Sequence, residues 1–156
     1  MENMIDIHLK TKEDYQNDYN EKIFSYKLSN YILEETKGIS LKEKIKFNVI
    51  PEFYMSEEEK NGFVDMLRNN YGADVGEIIH LKQKDYLSNI LILLLGIIFV
   101  VIYALLKDKL LAQFMLILGW VLIGETIVNF LHKGAEHRYN IERRKQIIKA
   151  KIVFKE

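Results

Sequence analysis

The sequence predicts an α+β membrane protein in which an antiparallel two-helix transmembrane hairpin carries a small cytosolic α/β domain built from both chain ends. Three observations predict it. Residues 87 to 106 and 110 to 131 are two apolar runs of spanning length, joined only by Lys107-Asp108-Lys109. Strand-like and helix-like periodicities fill the chain before the first run and resume after the second. Lys and Arg crowd the flanks: within about 20 residues of the membrane, three precede Leu87, seven follow Leu131 and two lie in the turn. The positive-inside preference then puts both termini in the cytosol.

Taken in order, Ile5, Ile7 and Leu9 recur at period two and predict a first strand. A polar stretch follows, then a helix near Tyr19 to Glu35 with Phe24, Leu28, Tyr31 and Ile32 on one face, stopped by Gly38. Ile45, Phe47 and Val49 alternate with Lys44, Lys46 and Asn48 in a second strand. Pro51 ends it, because proline cannot donate to the ladder. Ser56 followed by Glu59 reads as a capping box opening a helix with Phe63, Val64, Met66 and Leu67 inward, and Asn69-Asn70-Tyr71-Gly72 is expected to close it. Ile78 to Leu81 fits either a third strand or the start of a helix running into the first span. After the second span come a basic helix near Ala135 to Lys149 and a last strand at Lys151-Ile152-Val153-Phe154. If that strand pairs with the N-terminal ones, both chain ends close one α/β domain. The predicted domains are therefore 1–86, 87–131 and 132–156.

Fifteen of the twenty residues from Leu87 to Leu106 are Leu, Ile, Val or Phe, without a charge. At about −0.3 to −0.6 kcal/mol each, these favour insertion by roughly 4.5 to 9 kcal/mol. The second run has thirteen such residues but also Gln113, Glu125 and Asn129, and a charge near a helix centre costs about 2.5 to 3.5 kcal/mol. It still spans, with less margin. Both match the roughly 20 residues that about 30 Å of hydrocarbon requires. Tyr86 and Tyr103 sit where interfacial anchors belong, whereas Trp120 falls near mid-span and should pack on a helix or on lipid.

The remaining chain, about 110 residues, is enough for one small domain. Formal net charge is zero, yet residues 1 to 86 hold 12 Lys/Arg against 17 Asp/Glu and residues 87 to 156 hold 10 against 5. A second half at +5 suits an anionic partner, whether phospholipid, nucleic acid or the acidic first half. Without cysteine, disulfides, thiolate metal sites and cysteine nucleophiles are excluded. Met1 to Asp6 has no basic region leading into an apolar run, so a cleavable signal peptide is not expected.

Glu125 is the most informative residue. It lies about six residues, or roughly 9 Å, inside the cytosolic end of the second span. At about 100° per residue, Asn129 and His132 share its face, and Val121 and Leu118 extend the stripe outward. Ionisable residues at such depth face a bundle interior or water. Two readings follow: a pore or gate, or a carboxyl that is protonated or paired merely to hold helices together. Two helices cannot enclose a water path, so the pore reading requires a homo-oligomer, a tetramer being one such assembly, with Leu118 and Val121 as a dewetting gate. Ala112, Gly119 and Gly96 would allow close helix approach.

The tail adds Lys133, Arg138, Arg143, Arg144 and Lys145 as candidates for anionic lipid or for the phosphates of a nucleotide or single strand, with Tyr139 near enough to stack. Enzyme signals are poor. His132, Glu136 and His137 lack the spacing that puts two histidines on one helix face, and no nucleophile, Walker, dinucleotide or paired-carboxylate pattern appears. Neither catalysis, a metal nor a cofactor is expected.

In overall build, and over the run from Gly119-Trp120 through Glu125 to Arg138, Arg143-Arg144 and Lys151-Ile152-Val153-Phe154, the chain resembles small bacterial membrane effectors of antiphage defence, the Hailong type. The resemblance implies an oligomeric two-pass channel in the bacterial inner membrane. It would be held shut by a nucleotide or short single-stranded DNA ligand and depolarise the infected cell when that ligand is released. It also implies Glu125, Asn129 and His132 at the pore or gate, and Arg138, Arg143, Arg144 and Lys145 at the ligand. The competing expectation is a membrane-anchored adaptor or sensor whose cytosolic domain binds a protein.

Overall fold

A computed structural model describes residues 2 to 155, with the backbone alone at Glu2; the outermost residues of the predicted first and last domains, Met1 and Glu156, lie outside the described residues. The order of elements is β1 (Glu2–Leu9), β2 (Gln16–Asn17), β3 (Asn20–Phe24), α1 (Tyr26–Thr36), β4 (Lys44–Pro51), α2 (Glu57–Leu105), α3 (Lys109–Ile148) and β5 (Lys151–Phe154). The fold is α+β, with two long apolar helices that could each span a membrane and a small domain holding the strands. The chain divides into two compact units: the residues up to Gly76 together with those from Asn140 onward, and Glu77–Tyr139.

In the first unit the strands predicted at Ile5, at Ile45 and at Lys151 form one parallel sheet in the order β1-β4-β5. Ile5 pairs with Phe47 and Ile7 with Val49, and on the other side of β4 Phe47 pairs with Ile152 and Val49 with Phe154. Alternation buries Ile5, Ile7, Leu9, Ile45, Phe47 and Val49 on a single face. Against that face pack Leu28 and Ile32 of α1, Phe63, Leu67 and Tyr71 of α2, and Ile147 near the end of α3. The rings of Tyr15, Phe24 and Phe154 meet Phe63 edge-on at 5.4 to 5.8 Å, a geometry that the aromatic quadrupole favours. Both crossovers, β1 to β4 and β4 to β5, step the same way across the sheet, so crossovers of one hand place every helix on one side. Among the described residues no helix covers the opposite face: Met4, Asp6 and His8 of β1 are exposed there, and Asn48 of β4, buried, donates to Asp6 Oδ1 at 2.7 Å.

Two predicted elements are corrected. The helix expected near Tyr19 to Glu35 begins only at Tyr26, and a β2–β3 hairpin precedes it. Asn17 Oδ1 accepts from the Tyr19 amide at 2.9 Å and Asn20 Oδ1 from the Lys22 amide at 3.0 Å. Such local side-chain bonds favour a turn over a helix. Phe24 is therefore buried from a strand, and Tyr31 of α1 is largely exposed.

The second correction concerns Asn69-Asn70-Tyr71-Gly72, which does not end a helix: α2 runs unbroken through it. Asn70 Nδ2 donates to Ser29 Oγ at 3.1 Å and the Tyr71 hydroxyl to Ser29 O at 2.8 Å. These polar side chains serve tertiary bonds instead of a cap, and Gly72 keeps a negative φ. Burial pushes the Tyr71 phenol well above its ordinary value, so it stays a neutral donor. Of the two readings of Ile78 to Leu81, the helical one holds, and the basic helix from Ala135 is the continuation of α3. The capping box is present: Ser56 N donates to Glu59 Oε2 at 2.9 Å and Glu59 N to Ser56 Oγ at 3.2 Å.

Phe63→Ala should remove the common partner of three rings and cost about 3 to 5 kcal/mol. The check is chemical denaturation of the full chain in detergent, read by tyrosine near-UV circular dichroism. A loss under about 1 kcal/mol, the scale of ordinary surface changes, would contradict the central place assigned to Phe63.

Candidate functional site

Within the second unit the two helices meet along a seam of small and polar residues spaced by seven. Asn89 and Gly96 of α2 and Ala112, Gly119 and Thr126 of α3 are buried, Asn89 and Thr126 at 6% exposure each. The two glycines face each other. A Cβ built on Gly119 would lie 2.7 Å from Val100 Cγ2 and 2.9 Å from the Gly96 carbonyl oxygen; one built on Gly96 would lie 2.9 Å from Ile123 Cγ1. Only glycine admits backbones this close, and the close approach increases van der Waals contact between the two helices. Thr126 returns its hydroxyl to Leu122 O at 2.8 Å, so its polar group is satisfied within its own helix. Tyr86 and Phe130 close one end of the seam with ring centroids 5.7 Å apart.

The predicted polar stripe lies on one flank of this seam. Measured from Thr126 at about 100° per residue, Asn129 lies about 60° round the helix, Leu118 80°, Glu125 100°, His132 120° and Val121 140°, all in one sense. Glu125, Val121 and His132 are exposed, and Leu118 and Asn129 are half-buried. Ser88, also exposed, precedes the seam residue Asn89 as Glu125 precedes Thr126. In an antiparallel pair equal rotations fall on the same flank, so Ser88 extends the polar strip onto α2. Glu125 has no hydrogen-bond or ion-pair partner among the described residues, and the pairing with a basic residue considered for it is not formed. Trp120 turns to the other flank and is 64% exposed, so it does not pack between the helices.

Lys133 is instead engaged with Asp85. Asp85 lies 3.5 Å from Lys133 Nζ and 3.0 Å from His137 Nε2, a cluster that spacing within either run did not reveal. The hydrogen bond from His137, with the charge of Lys133, holds the Asp85 carboxyl below the usual carboxylate range. A depressed carboxylate contributes stability that is present above its unfolded value and is lost as pH falls through its folded one.

The other basic candidates have separate positions. Arg143 is buried at 3% exposure and donates through Nη2 to Ile39 O at 2.6 Å and through Nη1 to Gln146 Oε1 at 2.7 Å. Arg144 meets Asp74 at 3.0 Å, and Lys145 meets Glu142 at 3.1 Å. Arg138 is exposed, as is Tyr139. Arg143 and Arg144 thus bind their own unit, while Arg138 and Lys145 face solvent. What sequence reading missed is that Asn89 and Thr126 are buried in the same seam as the glycines; the signal was their spacing of seven from Gly96 and Gly119.

Gly119→Leu should force the helices apart and cost about 1 to 3 kcal/mol, lowering the melting midpoint of the detergent-solubilised chain followed by Trp120 emission. Gly124→Ala, where an added Cβ meets nothing within 4 Å, should not lower that midpoint, since alanine favours a helix over glycine. In a second measurement, the midpoint of the wild type should fall as pH drops below the ordinary carboxylate value of about 4, and Asp85→Asn should flatten that acid limb. Parallel acid limbs would remove the role given to the Asp85 carboxylate. Comparison of the chain with protein-family models, with characterised proteins and with solved structures finds no match.

Proposed function

We propose that the chain is a two-pass protein of the bacterial inner membrane whose copies assemble around an axis and conduct ions, with both termini in the cytosol. One observation carries this reading: an exposed carboxyl, Glu125, without a partner among the described residues, on a polar flank of a largely apolar hairpin. A side chain of this kind costs about 2.5 to 3.5 kcal/mol in hydrocarbon. Copies packed flank to flank would remove it from lipid and gather Ser88, Glu125, Asn129 and His132 around water. A ring of carboxylates attracts cations, and Leu118 and Val121 would form the dewetting constriction. Twenty large apolar side chains between Tyr86 and Leu131 are exposed on the isolated hairpin. That expanse is far beyond what a soluble monomer leaves in water, and it supports insertion. Control of opening by an anionic ligand, a nucleotide or short single strand, agrees with the resemblance to antiphage membrane effectors and with the basic second half of the chain.

A second reading has its own support. The sheet face bearing Met4, Asp6 and His8 carries no helix among the described residues, although parallel sheets are ordinarily covered on both faces. In this reading the hairpin is an anchor and that face docks a protein.

Glu125 separates the two. Cells producing the wild type should lose membrane potential, measured with a voltage-sensitive dye, and Glu125→Leu at matched levels should lower the depolarisation severalfold, with Trp120→Leu on the opposite flank close to wild type. Equal depolarisation by the wild type and Glu125→Leu would remove the carboxyl from the path, and no depolarisation by either would favour the anchor.

A further inference from the structure

The α1–β4 loop, the starts of β4 and β5 and the last turns of α3 enclose a concave pocket of about 460 Å³ in the first unit, within the range of small-ligand sites. Four lysines line it: Lys44 and Lys151 from the strand starts, Lys145 and Lys149 from the end of α3. Glu43 and Glu142 also line it, and Leu41 and Ile45 supply apolar surface. Lys145 is taken up by Glu142 at 3.1 Å. No ion pair is found for Lys44, Lys149 or Lys151 among the described residues.

The wall of this pocket is built, not incidental. Gln146 Nε2 donates to Ser40 O at 2.9 Å and to Glu43 O at 2.7 Å, and the buried Arg143 donates to Ile39 O. These bonds fix the α1–β4 loop against α3 and hold Leu41 and Glu43 in place. Lysines near a helix C-terminus also offset the helix dipole, which accounts for Lys145 and Lys149. It does not account for Lys44 and Lys151, which belong to strands and converge on the same space.

We propose that this pocket binds a compact anion carrying two or more phosphates. Three ammonium groups without carboxylate partners among the described residues, in one concave wall, suit charge-assisted bonds to phosphate oxygens. Soluble polyphosphates and the headgroup of a two-phosphate lipid share that chemistry. The site deepens the ligand-controlled reading, yet its test reads binding alone and involves no ion flux, so failure of one does not imply failure of the other.

The experiment is isothermal titration of the full chain, in nanodiscs of phosphatidylcholine, with inorganic tripolyphosphate. Saturable binding is expected at one site per chain. Lys149→Glu with Lys151→Glu should weaken it about tenfold or more, and Lys44→Ala, which leaves α3 intact, severalfold. Lys22→Glu with Lys82→Glu should change it less than about twofold, since long-range effects of exposed charges are screened. Circular dichroism of each variant separates lost binding from lost folding. If nanodiscs containing cardiolipin abolish tripolyphosphate binding to the wild type, the natural source is a lipid headgroup; if they do not, it is a soluble ligand. The proposal is overturned if no saturable binding occurs, or if the folded pocket variants bind as the wild type does.

Discussion

Parallel pairing of β5 with β4 is the constraint on which the rest of the structure depends. Two parallel neighbours cannot be joined by a tight turn; the chain must leave one end of the sheet and re-enter at the other. Here that crossover is the whole of α2 and α3, joined through Leu106-Lys107-Asp108. The hairpin is therefore an expanded connection inside one βαβ unit, not an appendage fused to one terminus. The same pairing brings Lys151 beside Lys46, sets Ile147 into the core, and lets Arg143 and Gln146 hold a loop more than a hundred positions earlier in the chain.

Each unit uses a different source of cohesion. The strand-bearing unit relies on apolar side chains withdrawn from water, centred on Phe63 and its three ring neighbours. The hairpin relies on the opposite device, the absence of side chains at Gly96 and Gly119, which brings two backbones into contact. The seam holds Asn89, Gly96, Ala112, Gly119 and Thr126, and the neighbouring polar side chains lie off it. Glu125 and Ser88 fall on a flank because Thr126 and Asn89, one residue further along, fill the seam.

Much of the fold was legible in the sequence because its signals were periodic. Alternation at Ile5-Ile7-Leu9 and Ile45-Phe47-Val49, the Ser56–Glu59 box and the two apolar runs each correspond to an observed element. The errors arose where one residue type serves two purposes. Asn17 and Asn20 make a turn where the helical spacing of Phe24 and Leu28 suggested continuity; Asn70 and Tyr71 bind Ser29 where their type suggested a cap. The polar stripe around Glu125 followed from helix geometry alone. The engagements of Arg143 with Ile39 and of Asp85 with His137 did not, because they join residues whose separation in sequence carries no local pattern.

The place of β5 in the sheet also orders events during synthesis. β1 and β4 can pair as soon as the first fifty or so residues have emerged, since chains fold from the N-terminus as they are made. The free edge of β4, a template for wrong partners, then has to wait until both long helices have left the ribosome before Lys151–Phe154 arrives to cover it. The sheet thus stays one strand short until both long helices have been made, and its closure by β5 follows theirs.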